Sequence, residues 1–260
     1  MTEDNLIYKY TSLTEYTFKN LLLSQMRFNS PDLMNDQLEG LVKVDNVDFE
    51  PSDKAIDNFI RSNRLQEFYF NPKQTIKDEG FLNFYMSYWF RNELCKYRIS
   101  CFSTDPTESL MWAHYANKHA GLCMIYNKNK LLRSLRTYNS SFEIITMQYG
   151  IKPTITLHEK EEQIEYKSDI PIISTKDSNW KYEKEVRIFA DEKNLFEAPK
   201  GMSVFIENAA LTGIIYGYQM PESDKDAISM IIRNDSHYAS IREFNEVLDF
   251  KTGKIVIVPD

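Results

Sequence analysis

Eight glycines, three cysteines and four histidines in 260 residues leave little material for several familiar chemistries. So few glycines, with no GxGxxG, Walker-type loop or GxSxG, argue against a glycine-rich phosphate cradle or a nucleophile elbow. Cys95, Cys101 and Cys123 form no CxxC pair and are odd in number, which suits reduced thiols rather than a disulfide framework. His114 and His119 lack a nearby second ligand pair, so no metal is expected. Cys101 precedes His114, but nothing in the spacing joins them as nucleophile and base. No apolar run approaches the roughly 18 residues that span a bilayer, and no membrane partner is expected. Met1-Thr2-Glu3-Asp4-Asn5 lacks the basic start of a signal peptide, so the expected location is the cytoplasm. An excess of positive charge is missing too: net charge is −7 and the pI about 5.3, which argues against broad nucleic-acid binding.

What is present is ordinary globular material, 42% hydrophobic and 27% charged, with 16 Tyr and 16 Phe to line a core or a pocket. Short strands are expected at Leu6–Tyr10, Met26–Asn29, Tyr97–Ser103, Gly121–Tyr126, Phe142–Tyr149, Ser203–Ile206 and Thr212–Tyr216. Ser12-Leu13-Thr14-Glu15 reads as a capping box opening a helix through about Ser24, with Phe18, Leu21 and Leu22 buried. Ser52 to about Leu94 reads as mainly helical, divided at Asn71-Pro72 and weakened at Gly80. Asp105-Pro106-Thr107-Glu108 reads as the cap of a helix carrying Leu110 to Tyr115. The stretch from Glu159 to Lys176 is the most charged and least regular. A helix from about Glu222 to Arg233 starts at Pro221, and the tail around Thr252-Gly253 reads as a hairpin. Scattered strands favour one α+β domain over 1–260, with a mixed or antiparallel sheet and a helical insertion at about 52–95.

The segment Trp180-Lys181-Tyr182-Glu183-Lys184-Glu185-Val186-Arg187-Ile188-Phe189 alternates polar and apolar residues as a half-buried strand does. Such a strand puts Glu183, Glu185 and Arg187 on one face, with the two carboxylates about 7 Å apart. By itself, the plainer reading is a solvated face with a cross-strand ion pair. Three other segments stand out: Tyr8-Lys9-Tyr10, Cys101-Phe102-Ser103-Thr104, and Met111-Trp112-Ala113-His114-Tyr115. Each has a structural reading of its own, as strand, turn and core respectively.

Taken in order, these segments resemble the bacterial family called domain of unknown function 2971. Phe28-Asn29-Ser30-Pro31, Met34-Asn35-Asp36 and His119-Ala120-Gly121 belong to the same resemblance, which spans roughly residues 6 to 217. Gln37 departs from it, standing where the family usually has proline. A looser similarity is to the ADP-ribosyltransferase superfamily: aromatic-basic-aromatic, then aromatic-Ser-Thr, then Glu-x-Glu.

That second resemblance implies an ADP-ribosyltransferase-like sheet and consumption of NAD, by transfer of ADP-ribose or by hydrolysis, in a toxin or antiphage effector. It implies Glu185 as the catalytic carboxylate, with Glu183 activating an acceptor macromolecule or water. It also implies Lys9 or Tyr10 as the first-strand dinucleotide residue, although the superfamily has Arg or His there. Ser103 would support the nicotinamide half, Arg187 or Lys9 the pyrophosphate, and Trp112, Tyr115 or Tyr10 the rings. Tyr8 and His114 complete the expected nucleotide-binding set. Two other readings stand beside it: a non-catalytic nucleotide-sensing or protein-interaction module, and a metal-dependent nuclease or hydrolase on Glu183 and Glu185. Oligomeric state and acceptor are open at this point.

Overall fold

The computed structural model describes residues 5–36, 39–45, 49–67, 73–74, 78–191 and 201–260. The expected features at Gln37 and Asn71-Pro72 lie outside these residues. The chain opens with β1 (Leu6–Thr11), α1 (Glu15–Leu22), β2 (Gln25–Asn29) and β3 (Lys43–Asp45). Two helices follow, α2 (Asp53–Ser62) and α3 (Glu79–Leu94), then β4 (Tyr97–Ser103), α4 (Ser109–Tyr115), β5 (Leu122–Asn127) and α5 (Lys128–Tyr138). Next come β6 (Glu143–Thr146), β7 (Gln148–Tyr149), β8 (Thr154–Lys160), β9 (Gln163–Ser168), β10 (Thr175–Lys176) and β11 (Glu185–Asp191). The last elements are β12 (Gly201–Phe205), β13 (Leu211–Tyr216), α6 (Glu222–Asn234), β14 (Arg242–Asp249) and β15 (Lys254–Pro259). Contacts group them into two compact units: Met1–Met34 with Lys96–Met147 and Asn179–Asp260, and Asn35–Cys95 with Gln148–Ser178.

The first unit is built on a mixed sheet in the order β12-β2-β4-β1-β5-β13-β14-β15, with β11 on β4 and β6 on β11. Every pairing in it is antiparallel except β13 with β14, which is parallel. On one face Ile7, Phe28, Phe102, Leu122, Ile188 and Ile214 pack with Leu21 of α1, Leu131 of α5 and Ile228 of α6. Tyr10, Cys123, Ile125 and Ile215 pack with Met111 and Trp112 of α4 in a separate cluster. Each large side chain so buried stabilises the fold by about 1.5–3 kcal/mol.

Local chemistry explains where the boundaries differ from expectation. Thr14, not Ser12, caps α1, its hydroxyl accepting from the Thr17 N–H at 3.3 Å. Leu21 is buried, but Leu22 is 59% exposed, because the core-facing stripe of so short a helix is narrow. No element is expected at 128–138, yet α5 forms there, with the Asn127 side chain capping Lys130 and Leu131 and Leu135 buried.

The second unit packs α2 and α3 on the sheet β3-β8-β9, with β7 and β10 paired separately. Ile56, Ile60, Leu82, Met86, Phe90, Ile155 and Leu157 form its core. The expected helical stretch lies in this unit. Asp78 caps α3 by accepting from Phe81 N–H at 2.7 Å, so Gly80 sits in the first turn, not in the interior. The expected irregular stretch is instead the hairpin β8–β9. Its turn is Glu161-Glu162, both left-handed at φ 49° and 61°. Such a turn usually declares itself by Asn-Gly or Asp-Gly, and two glutamates give no signal.

Candidate functional site

Three separate parts of the chain meet at one row of the first unit's sheet. Tyr8 of β1 lies opposite Ser103 of β4, and Ser103 lies opposite Glu185 of β11. Opposed residues share a face, so Tyr8, Ser103 and Glu185 form a transverse row, with Cys101 and Arg187 in an adjacent pair. Ser103 is 0%, Glu185 3% and Arg187 1% exposed, so this is no solvated strand face. Arg187 donates from Nε to Glu185 Oε1 at 2.8 Å and from Nη2 to Oε2 at 3.5 Å. A buried carboxylate needs such a partner to keep its charge. Burial, reinforced by the Glu185 charge, pushes the Cys101 thiol well above its usual range, which leaves it neutral and a poor nucleophile.

Glu183 is not on that strand. Ser178–Glu183 is a 3₁₀ turn, and Lys184 takes a left-handed φ of 46° before β11 begins. The alternation from Trp180 that reads as strand belongs to a turn fastened to α4: His114 Nδ1 lies 3.0 Å from the Tyr182 hydroxyl. Tyr115 donates to Glu183 Oε1 at 2.5 Å, and Glu183 is 3% exposed. The two glutamates are thus both buried, but a left-handed residue separates the elements that carry them.

Lys9 lies on the opposite face from Ser103 and Glu185. It is the β5 partner of Met124, and its ammonium stands 5.0 Å over the Phe102 ring. β11 occupies one edge of β4; on the other, β1 bonds at Ser103 and β2 at Ile99, so the two strands fork. Lys9 Nζ fills the fork, donating to Ser100 Oγ at 2.8 Å and to the Cys101 carbonyl at 3.2 Å. Desolvation lowers its pKa, with the Glu185 carboxylate acting against it. Lys9 therefore satisfies a strand edge that no ladder partner reaches, in place of the expected dinucleotide contact.

Other candidates anchor the loop after β4. Tyr10 donates to the Asp105 carbonyl at 2.7 Å, Ser103 Oγ accepts from Asp105 N–H at 3.1 Å, and Trp112 Nε1 donates to the Pro106 carbonyl at 2.9 Å. Lys184 Nζ meets Asp105 Oδ2 at 2.7 Å. Asp105 caps the Thr107 N–H rather than a helix; α4 starts at Ser109, with Glu108 as its N-cap. Tyr10 and Trp112 meet edge to face at 5.1 Å, and Trp112 is fully buried. His114, by contrast, is exposed at the surface.

A second acid–base pair, with Glu246 buried and His119 half-buried, has no counterpart among the expected residues. His119 Nδ1 lies 2.7 Å from Glu246 Oε1, and Glu246 Oε2 accepts from Tyr218 N–H at 3.1 Å. Burial raises the pKa of Glu246, the bonds from His119 and Tyr218 acting against it. Asn117, Lys118 and His119 are all left-handed, at φ 48°, 53° and 69°. Gly217 crosses so close that a Cβ there would stand 2.1 Å from the His119 carbonyl. The His119-Ala120-Gly121 motif was visible in sequence, but nothing local links it to residue 246.

Among the described residues no group of three or more His, Cys, Asp or Glu side chains is set to hold a metal ion, and no helix is long and apolar enough to cross a membrane. No curated protein and no solved structure matches the chain. A family model described as protein of unknown function (DUF2971) matches residues 111–188. The matched stretch runs from the Met111–Tyr115 motif to Ile188 and takes in Glu183, Glu185 and Arg187. This match supports the family resemblance read from the ordered motifs over residues 111–188, the stretch that holds the glutamates and the arginine of the candidate site.

Proposed function

We propose that the Tyr8–Ser103–Glu185 row is the centre of an NAD-consuming site of ADP-ribosyltransferase-like type. The observation that supports this reading is the register itself: three distant segments, each expected to carry one part of such a site, meet at a single row. In the proposed reaction the bond between nicotinamide and ribose breaks heterolytically, and its electron pair leaves with the nicotinamide nitrogen. Positive charge then grows on the sugar carbon. Glu185, kept ionised by Arg187, stabilises that charge, as a carboxylate does in glycoside cleavage. Tyr8, the least buried member of the row, is the ring available to the nicotinamide. The acceptor is water, in hydrolysis, or a macromolecular nucleophile, in transfer by a toxin or antiphage effector.

The test is nicotinamide release from NAD by the purified protein and by Glu185→Gln, with circular dichroism to confirm folding. The substitution should lower the rate by about 10²–10³, the usual effect of removing one preorganised charge-stabilising group. Folded wild-type protein that neither binds NAD nor releases nicotinamide would overturn the proposal, as would an unaffected variant.

A second reading, nucleotide sensing without turnover, is favoured by one specific feature. The Ser103 hydroxyl already accepts from Asp105, and Arg187 already holds Glu185, so the row is internally satisfied. Saturable NAD binding with no nicotinamide release selects it over the first.

A further inference from the structure

The first unit's sheet ends on one side at β15, which among the described residues pairs only with β14. Asp260 N–H donates to the Glu243 carbonyl opposite it at 3.1 Å. Bonding alternates along an antiparallel strand, so Val256 and Val258 turn their main-chain groups toward β14. Ile255 and Ile257 turn theirs outward. Pro259 faces outward as well but has no N–H to give. Natural sheets guard such an edge with charges, prolines or bulges. Here Lys254 and Pro259 guard the two ends, and the stretch between them is Ile255-Val256-Ile257-Val258. Val256 lies opposite Val247 of β14, Val258 is next along the same face, and the three are 37–39% exposed.

An edge of this kind is completed by one more extended strand. The sequence of β15 favours its own copy. Two β15 strands laid antiparallel about Val256 set Ile255 of one copy opposite Ile257 of the other. Each such pair exchanges both of its main-chain hydrogen bonds, and Pro259 falls beyond them at the end of the ladder. Val256 then meets its own copy across the axis in a non-hydrogen-bonded pair, the kind with the closer side chains. Lys254 and Asp260 share the face of Val256 and stand at opposite ends of the strand. The antiparallel arrangement sets Lys254 of one copy diagonal to Asp260 of the other, at about 7–8 Å, within reach of a lysine. A parallel arrangement would put like charges side by side. Asp260 is already fixed in place by Lys225 and Asn245. We propose that β15 is a dimer edge, at which two copies of this chain join antiparallel about Val256 to make one continuous sheet. This edge uses no residue of the Tyr8–Ser103–Glu185 row and is independent of the NAD reading.

Sedimentation equilibrium of the full chain should show a mass that rises from one chain toward two with concentration. Val256→Lys puts like charges opposite each other at the axis and should weaken the dimer at least about tenfold. The position is exposed, so the variant keeps its fold, which circular dichroism checks. Val256→Cys tests the register under mild oxidation. Non-hydrogen-bonded partners have Cα atoms about 4.5 Å apart, within the range of about 4.4–6.8 Å that a disulfide accepts. A covalent dimer is expected for Val256→Cys but not for Val247→Cys, which is as exposed but one strand further from the edge. Wild type, with its three free cysteines, sets the background. A chain monomeric at every concentration, a dimer indifferent to Val256→Lys, or cross-linking no faster for Val256→Cys than for Val247→Cys would each overturn the proposal.

Discussion

Glu185–Arg187, a fully buried pair, and Glu246–His119, whose histidine is half-buried, are both acid–base pairs of the first unit, but they are made over very different lengths of chain. The first joins residues two apart on one strand, Nε to Oε1 at 2.8 Å. The second joins β14 to a left-handed turn at 2.7 Å, across 127 residues. Strand geometry alone guarantees that the first pair shares a face. Only the close approach of the 117–119 turn to Gly217 brings the second together. Their contexts differ as well. Arg187 is a permanent cation, whereas the charge of His119 depends on protonation. The Glu185 pair should therefore cost more to break, and the Glu246 pair should matter chiefly as a clasp between distant parts of the unit.

That comparison can be broken in order of size. Arg187→Met leaves the Glu185 charge buried without its guanidinium and should lower unfolding free energy by about 3–5 kcal/mol, read from urea midpoints. His119→Ala should cost less, about 2–3 kcal/mol, because the Tyr218 amide still holds Glu246. A larger loss for His119→Ala than for Arg187→Met would invert the ranking. The outer pair Lys184–Asp105 is the smallest case, with Lys184 52% exposed, and Lys184→Met should cost at most about 1 kcal/mol at pH 7. Burial alone would raise the Asp105 pKa, but hydrogen bonds from Lys184 and Thr107 hold it below its ordinary value. A depressed folded-state pKa stabilises above the unfolded value and loses that contribution as pH falls through the folded one. The difference between wild type and Lys184→Met should thus shrink and vanish as pH falls below the ordinary aspartate range and Asp105 takes up its proton. A gap unchanged in acid would mean the lysine acts through packing, not charge.

Particular residues mark how far sequence reading reached. Tyr97–Ser103 and the tail hairpin were legible because their signals are local: period-two alternation in one case, Thr252-Gly253 in the other, with Gly253 at φ 67°. The Trp180–Phe189 stretch was legible only from Glu185 onward. Its first half has the same alternation, yet hydrogen bonds to His114 and Tyr115 wind it into a turn. Lys9 shows the same limit at the site: alternation places it opposite Tyr8 and Tyr10 in facing, but only the β1–β2 fork on β4 explains what it does there.

The sequence by itself determined the α+β class, the motif stretch that the family model matches and the shared strand face of Glu185 and Arg187, because class, motif and strand periodicity are properties of contiguous chain. The tertiary structure decided the rest: the row that unites Tyr8, Ser103 and Glu185, the side of the sheet that Lys9 occupies, and the partner of Glu246. Strand register, sheet forks and long-range ion pairs depend on which elements become neighbours. That choice is made by burial across the whole unit, not by any window of residues.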